Sequence, residues 1–213
     1  EQYELDNYRQ LLDLDAKYPS YPKVAANVIA MDGTNWFSSF TIDKGSKEGI
    51  KKGMNVIAGS GLVGIVTDVG PNFAKVRSII DDSSNVSSMV LTTKDNFNVG
   101  GSLKSMNQDK VLPFTELRDE DDKVKVGDPV VTSYVSDQYQ EGILIGYIAS
   151  IEKNANNLTK SGTITPVVDF QHLREVLVIT TLKDTGEKEL SSQKASDTQA
   201  ETQDNTETQK SQE

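Results

Sequence analysis

Apolar and polar positions alternate with a period of two through much of the chain between Val24 and Thr180, the pattern of strands that turn one face to a core. Val24, Ala26, Val28 and Ala30 read as one strand, with Met31-Asp32-Gly33-Thr34-Asn35 as the turn that follows it. Phe37 and Phe40-Thr41-Ile42 lead into a glycine-punctuated run from Thr41 to Val69, around which the rest of the pattern is arranged. Gly45, Gly49 and Gly53 lie four apart, but three glycines inside one helix would cost about 1 kcal/mol each against alanine. They read as turn points. Val56-Ile57 and Leu62 to Val69 then form a strand pair across Gly59-Ser60-Gly61.

Beyond that run, Ala74, Val76, Ser78 and Ile80 alternate again, and Val86 to Thr93 resumes the pattern after the loop Asp81–Asn85. Asn98–Leu103, Lys110–Leu112, Thr163–Val168 and Val176–Thr180 read as further short strands, with Asp169 as the N-cap of a helical turn reaching His172. The grammar of the central run recurs. Val126-Gly127-Asp128-Pro129-Val130-Val131 and Gly142-Ile143-Leu144-Ile145-Gly146-Tyr147-Ile148 again place an apolar pair after a glycine turn and then return a glycine-containing strand. Such a repeat points to two small β-domains built alike.

The amino end differs. Glu1 to Lys17 lacks glycine and proline, and Leu5, Tyr8 and Leu12 are spaced as seam positions of a heptad. They are candidate self-association residues, and the Pro19 and Pro22 region ends the helix. The expected fold is therefore all-β with a short N-terminal helix: two small β-barrel-like domains in tandem, preceded by the end of a coiled-coil helix. The expected divisions are 1–19 for the helix, 20–104 and 105–183 for the barrels, and 184–213 for an acidic Ser/Gln/Thr-rich tail too poor in apolar residues to order itself. Whether the last strands return to the first barrel is open at this level.

Composition narrows the function. The net charge of −10 leaves no basic surplus for a phosphate backbone, which argues against nucleic acid as a partner. With no cysteine there are no disulfides, thiolate nucleophiles or cysteine metal sites. No apolar stretch is long enough to span a bilayer, and because the chain begins at Glu1, any membrane segment is expected upstream.

Candidate chemistry is sparse. Gly59, Gly61 and Gly64 spell G-x-G-x-x-G, with Asp81 and Asp82 downstream where a ribose-binding acid would sit. A dinucleotide site needs a helix directly after the glycines, and here Ile65, Val66, Thr67 and Val69 continue as strand. The single histidine, His172, has no G-x-S-x-G elbow to serve, since Gly127-Asp128-Pro129 carries proline where a nucleophile would stand. The acids between Arg118 and Asp122 lack a calcium-loop spacing and read as a solvated turn. No catalytic residue, cofactor or metal is expected. Trp36, Phe37 and Phe40 allow two readings, core packing or an aromatic anchor for a partner.

Taken in order, Asn35-Trp36-Phe37, Phe40-Thr41-Ile42-Asp43-Lys44-Gly45-Ser46, Gly49-Ile50, Lys52-Gly53-Met54 and Gly61-Leu62-Val63-Gly64 resemble the MreC family of rod shape-determining proteins. Val126-Gly127-Asp128, Val131-Thr132-Ser133, Gly142-Ile143, Gly146 and Pro166-Val167-Val168-Asp169 with Val176 continue the likeness, which runs from about Tyr21 to Leu182. Tyr134 stands where the family usually has glycine. The resemblance implies a single-pass membrane protein with a coiled-coil helix and two extracytoplasmic barrels, similar to chymotrypsin-type barrels but without their catalytic groups. It implies a dimer or higher assembly, and partners in MreB, MreD, RodA and a penicillin-binding transpeptidase. The expected role is a non-enzymatic scaffold that positions peptidoglycan synthases at the cell membrane. A periplasmic adaptor of a transport assembly would need a helical hairpin between β segments, and a barrel hydrolase would need a nucleophile–base pair. The sequence displays neither.

Overall fold

The computed structural model describes residues 18, 20–31, 36–59, 61–119, 121–155 and 158–184. The expected N-terminal helix with Leu5, Tyr8 and Leu12, and the tail after residue 184, lie outside the described residues. The strands in order are β1 (Lys23–Met31), β2 (Ser39–Ile42), β3 (Asn55–Ala58), β4 (Gly61–Val69), β5 (Ala74–Ser78) and β6 (Asn85–Val90). They continue with β7 (Asn96–Gly100), β8 (Leu112–Leu117), β9 (Pro129–Thr132), β10 (Leu144–Lys153), β11 (Lys160–Pro166) and β12 (Glu175–Ile179). Among the described residues one α-helix, α1 (Leu103–Asp109), stands between β7 and β8.

These strands close two barrels. The first runs β1-β12-β3-β4-β5-β2 and the second β10-β11-β8-β7-β6-β9. Closure removes the unpaired edges that a small open sheet would expose. In the first barrel, ladder partners Val178, Val56 and Gly64, and then Val66, Val76 and Phe40, turn inward. In the second, Phe97 and Phe114 meet edge to face inside, with centroids 5.0 Å apart.

The repeat seen in the sequence is carried by the hydrogen bonds. Gly53 donates to the Val66 carbonyl at 2.8 Å, and Gly127 donates to the Ile148 carbonyl at 2.8 Å. Val66 N–H returns to Met54 O, as Ile148 N–H returns to Asp128 O. Both turn glycines take left-handed backbone, φ 88° at Gly53 and 93° at Gly127, which costs glycine no Cβ clash. The ladder irregularities also match: β4 slips against β5 between Val66 and Asp68, and β10 against β11 between Ile148 and Ser150. Thus β3, β4 and β5 correspond to β9, β10 and β11.

Extending the correspondence around each ring pairs β1 with β7, β2 with β8 and β12 with β6. The second barrel takes six strands that are contiguous in the chain, β6 to β11. The first is the same ring with its leading strand taken from the far end of the chain, so β12 fills the gap between β1 and β3.

This arrangement corrects the expected division at 104/105. β6 and β7 pair with β9 and β8, so residues 85–100 belong to the second barrel. Alternation marks a strand as half-buried but does not name the barrel that buries it. The structure also replaces part of an expected strand with helix: Ser102 Oγ accepts from Ser105 N–H at 3.2 Å, capping α1, where the sequence pattern predicts strand as far as Leu103. The helical turn expected after Asp169 is a single turn that does not continue into helix: His172 N–H donates to Asp169 O at 3.4 Å, and Asp169 Oδ1 accepts from Gln171 N–H at 2.9 Å.

Candidate functional site

Four cross-strand positions on the outside of the first barrel, Ile179, Asn55, Ile65 and Arg77, form a row. They alternate with the inward residues of the same strands and therefore face away from the barrel interior. Yet Ile179 is fully buried, and Asn55 and Ile65 keep only 2% and 6% of their surface. The second barrel covers them with the long connection 133–143 between β9 and β10. Asn55 Oδ1 accepts from Gln140 N–H at 2.7 Å and its Nδ2 donates to Gln138 O at 2.9 Å. Gln140 Nε2 in turn donates to Thr181 O at 2.9 Å. Burial pushes the Tyr139 phenol up to about 12 despite nearby Arg77.

The chain entering β1 adds to the junction. Tyr18 Oη accepts from Leu144 N–H at 3.0 Å, and Tyr21 Oη donates to Glu141 O at 3.0 Å. Gly61 sits where a Cβ would come within 2.4 Å of a Val167 methyl and 2.7 Å of Leu144 O. A buried polar side chain satisfied on both ends fixes register as well as stability, so the two barrels are held in one relation.

The aromatic candidates fall on the core side of their two readings. Trp36 and Phe40 retain 6% and 1% of their surface, the burial that core packing gives. Trp36 Nε1 donates to Asn107 Oδ1 on α1, and Phe37 packs edge-on against Phe40 with centroids 6.1 Å apart. Phe37 is half-buried, and its backbone N–H donates to Phe170 O at 2.9 Å. The three tie the first barrel to α1 and to the turn after β11. A cleft of 320 Å³ lies beside them, lined by Trp36, Met106, Val168, Phe170 and His172 among others.

His172 stands on the rim of that cleft with Nδ1 2.7 Å from Asp169 Oδ2, both side chains about two-thirds exposed. Asp81 and Asp82 act on backbone: Asp81 Oδ1 accepts from Ser83 N–H at 2.9 Å and Asp82 Oδ1 from Leu103 N–H at 2.8 Å. The acidic stretch is not all solvated turn, however. Asp119 is buried, accepting from Lys123 N–H, Val124 N–H and Lys160 Nζ at 2.8, 3.0 and 2.7 Å. Burial alone would raise its pKa, but these donors hold it below the usual carboxylate range. Lys160 also donates to Asp122 Oδ1. This is a structural ion pair closing the loop between β8 and β9. Neither this pair nor Asn55 stands out in the sequence. The trace of Asn55 is a polar residue inside an otherwise apolar run, Met54-Asn55-Val56-Ile57, whereas Asp119 is one acid among several between Arg118 and Asp122 and Lys160 opens a largely polar strand.

Residues 28–180, which include both barrels apart from the first residues of β1, match the family model for the rod shape-determining protein MreC, barrel core. The chain belongs to the MreC family. The cell shape-determining protein MreC of Listeria monocytogenes is 32% identical over 178 residues, covering 83% of this chain and 59% of that protein. The chain thus spans less than two thirds of that relative's length. A solved MreC structure from Listeria superposes with a TM-score of 0.67 at 30% identity, covering 86% of this chain and 92% of the other. A chain of the complex between penicillin-binding protein PBP2 and MreC from Helicobacter pylori has a TM-score of 0.56 at 12% identity, over 75% of this chain and all of that one. At that identity it shows a shared fold. Among the described residues, no helix is long and apolar enough to cross a membrane.

Proposed function

We propose that this chain is the extracytoplasmic part of a membrane-anchored, non-enzymatic scaffold of cell-wall elongation. It self-associates and positions peptidoglycan synthases, a penicillin-binding transpeptidase foremost. The observation that carries this reading is the MreC barrel core itself, two barrels locked by a buried polar junction, in a family with a solved PBP2 complex. Two barrels joined by a buried polar junction offer outer sheet faces for docking. The exposed His172–Asp169 pair sits on a turn, without the buried orienting environment that a catalytic base requires. MreB, MreD and RodA are further partners by family likeness, and the single membrane span would precede this segment.

The test is affinity capture from detergent-solubilised membranes with the full-length protein. Enrichment of a penicillin-binding transpeptidase, detected by fluorescent penicillin, is expected. Its absence under conditions where the bait remains folded would remove the recruiting role. Serine-directed fluorophosphonate labelling abolished by His172→Ala would remove the non-enzymatic one.

A further inference from the structure

The correspondence between the barrels locates on the second one the face that the first uses at the junction. Pro129 corresponds to Asn55, Tyr147 to Ile65 and Thr165 to Arg77, because each pair occupies the same ladder positions. Leu91 completes the row, its N–H donating to Pro129 O at 2.9 Å. On the first barrel this row is covered by residues 133–143. On the second, the corresponding connection between β3 and β4 is only 59–60, too short to fold back over it. Leu91 and Tyr147 accordingly stay 43% and 45% exposed, with Thr165 exposed beside them.

We propose that the Leu91–Pro129–Tyr147 row is the surface through which two copies of this chain associate; this rests on the self-association in the reading above and assigns it a site. Three observations select a second copy. The row is continuous with the existing junction, since the next register positions, Met89, Val131 and Leu144, pack with Val167 where Gly61 of the first barrel makes its close approach. Its counterpart already seats a barrel of the same build. Proline in place of Asn55 removes the side chain that grips a crossing backbone, which leaves a neutral apolar sheet face. One such row against its own copy about a two-fold axis satisfies both chains with a single patch. At a net charge of −10 per chain, the copies repel at long range, so association through a neutral row strengthens as salt rises.

The chain has no cysteine, which makes the test clean. Sedimentation of the full chain would be compared with Tyr147→Asp and Leu91→Asp, with Tyr134→Asp, at another exposed aromatic, as control. Burying a charge in the seam is expected to weaken dimerisation at least about tenfold for the first two and leave the control unchanged. Retained near-ultraviolet circular dichroism shows that the variants still fold. A single Tyr147→Cys is expected to yield a disulfide-linked dimer under mild oxidation. Association of the parent that neither aspartate weakens overturns this surface and leaves the scaffold reading standing. A parent that is monomeric at every concentration overturns both the surface and self-association, while transpeptidase capture is judged separately. If the aspartates abolish transpeptidase capture but not self-association, the row belongs to that partner, and a second copy as occupant is wrong.

Discussion

Asn55 of the first barrel holds the backbone of Gln140 in the second, accepting its N–H at 2.7 Å, while the other end of the same amide donates to Gln138 O at 2.9 Å. One side chain thus pairs with a crossing segment on both of its polar faces, as a neighbouring strand would. This bond pair lies at the centre of a junction to which Gln140, Tyr18 and Tyr21 add further hydrogen bonds.

Replacing Asn55 by alanine leaves the Gln140 N–H and the Gln138 carbonyl without their partner in a buried seam. An unsatisfied buried group costs about 1–3 kcal/mol, so urea unfolding is expected to show a loss of several kcal/mol. Asn55→Asp keeps the acceptor for Gln140 but sets a carboxylate oxygen against Gln138 O. It is expected to be the worse variant at neutral pH and to recover in acid, where a protonated oxygen can donate to Gln138. An aspartate variant whose deficit is independent of pH would show that the amide does not make the second bond.

Gly64 and Gly146 are the corresponding glycines of β4 and β10, and each lies against a neighbouring carbonyl. A Cβ would approach Arg77 O to 2.0 Å at Gly64 and Thr165 O to 2.2 Å at Gly146. Backbone atoms in a closed ladder cannot give way as a side chain can. Gly64→Ala and Gly146→Ala are therefore each expected to destabilise by about 1–3 kcal/mol or more through overpacking, measured by thermal unfolding. Similar penalties at both sites would confirm that the barrels repeat one construction; a neutral Gly146→Ala would break the correspondence.

The repeat is legible in the sequence because it rests on local chemistry: a left-handed turn glycine, an apolar pair, then a glycine strand, written once at Gly53–Gly64 and again at Gly127–Gly146. Alternation also places most strands. The circular order is not legible. Val176-Leu177-Val178 reads the same whether it closes the first barrel or the second, and its pairing with Ala25 and Ile57 is a long-range choice. The same limit assigns β6 and β7 to the wrong barrel. A tryptophan beside a turn, such as Trp36, is ambiguous between anchor and core; its burial depends on α1, which lies far along the chain and follows a strand-like pattern at its start.

Trp36→Phe tests that burial. The ring volume is largely kept, but the indole N–H to Asn107 is lost, leaving Asn107 Oδ1 without that donor. A cost of about 0.5–1.5 kcal/mol is expected, against about 3–5 kcal/mol for Trp36→Ala, which also opens a cavity. Because Trp36 is internal, Trp36→Phe is expected to leave partner capture unchanged. Loss of capture by this variant, with its unfolding curve barely shifted, would reinstate Trp36 as a contact residue.

The Asp119–Lys160 pair sets a pH window for the second barrel. Burial opposes charge on Asp119, but hydrogen bonds from Lys160, Lys123 and Val124 hold its pKa below its value in an unfolded chain, about 3.9. Its contribution to stability is therefore present above about pH 4 and is lost as pH falls through the depressed native value. Lys160 behaves in the opposite sense. Burial would lower its pKa, yet Asp119 and Asp122 raise it above the unfolded value of about 10.4. Its contribution is complete below that value and disappears as pH rises through the elevated native one. Urea midpoints measured across the acid range are expected to fall less steeply for Asp119→Asn than for the parent. Lys160→Met, which strands a buried carboxylate whose side chain is 1% exposed, is expected to lose about 3–5 kcal/mol at neutral pH. Combining the two changes removes both charges, so the double variant is expected to be more stable than Lys160→Met alone. If it is instead as unstable as the sum of the single changes, the two groups act independently. The loop between β8 and β9 would then be held by the backbone bonds to Asp119, with the lysine as a bystander.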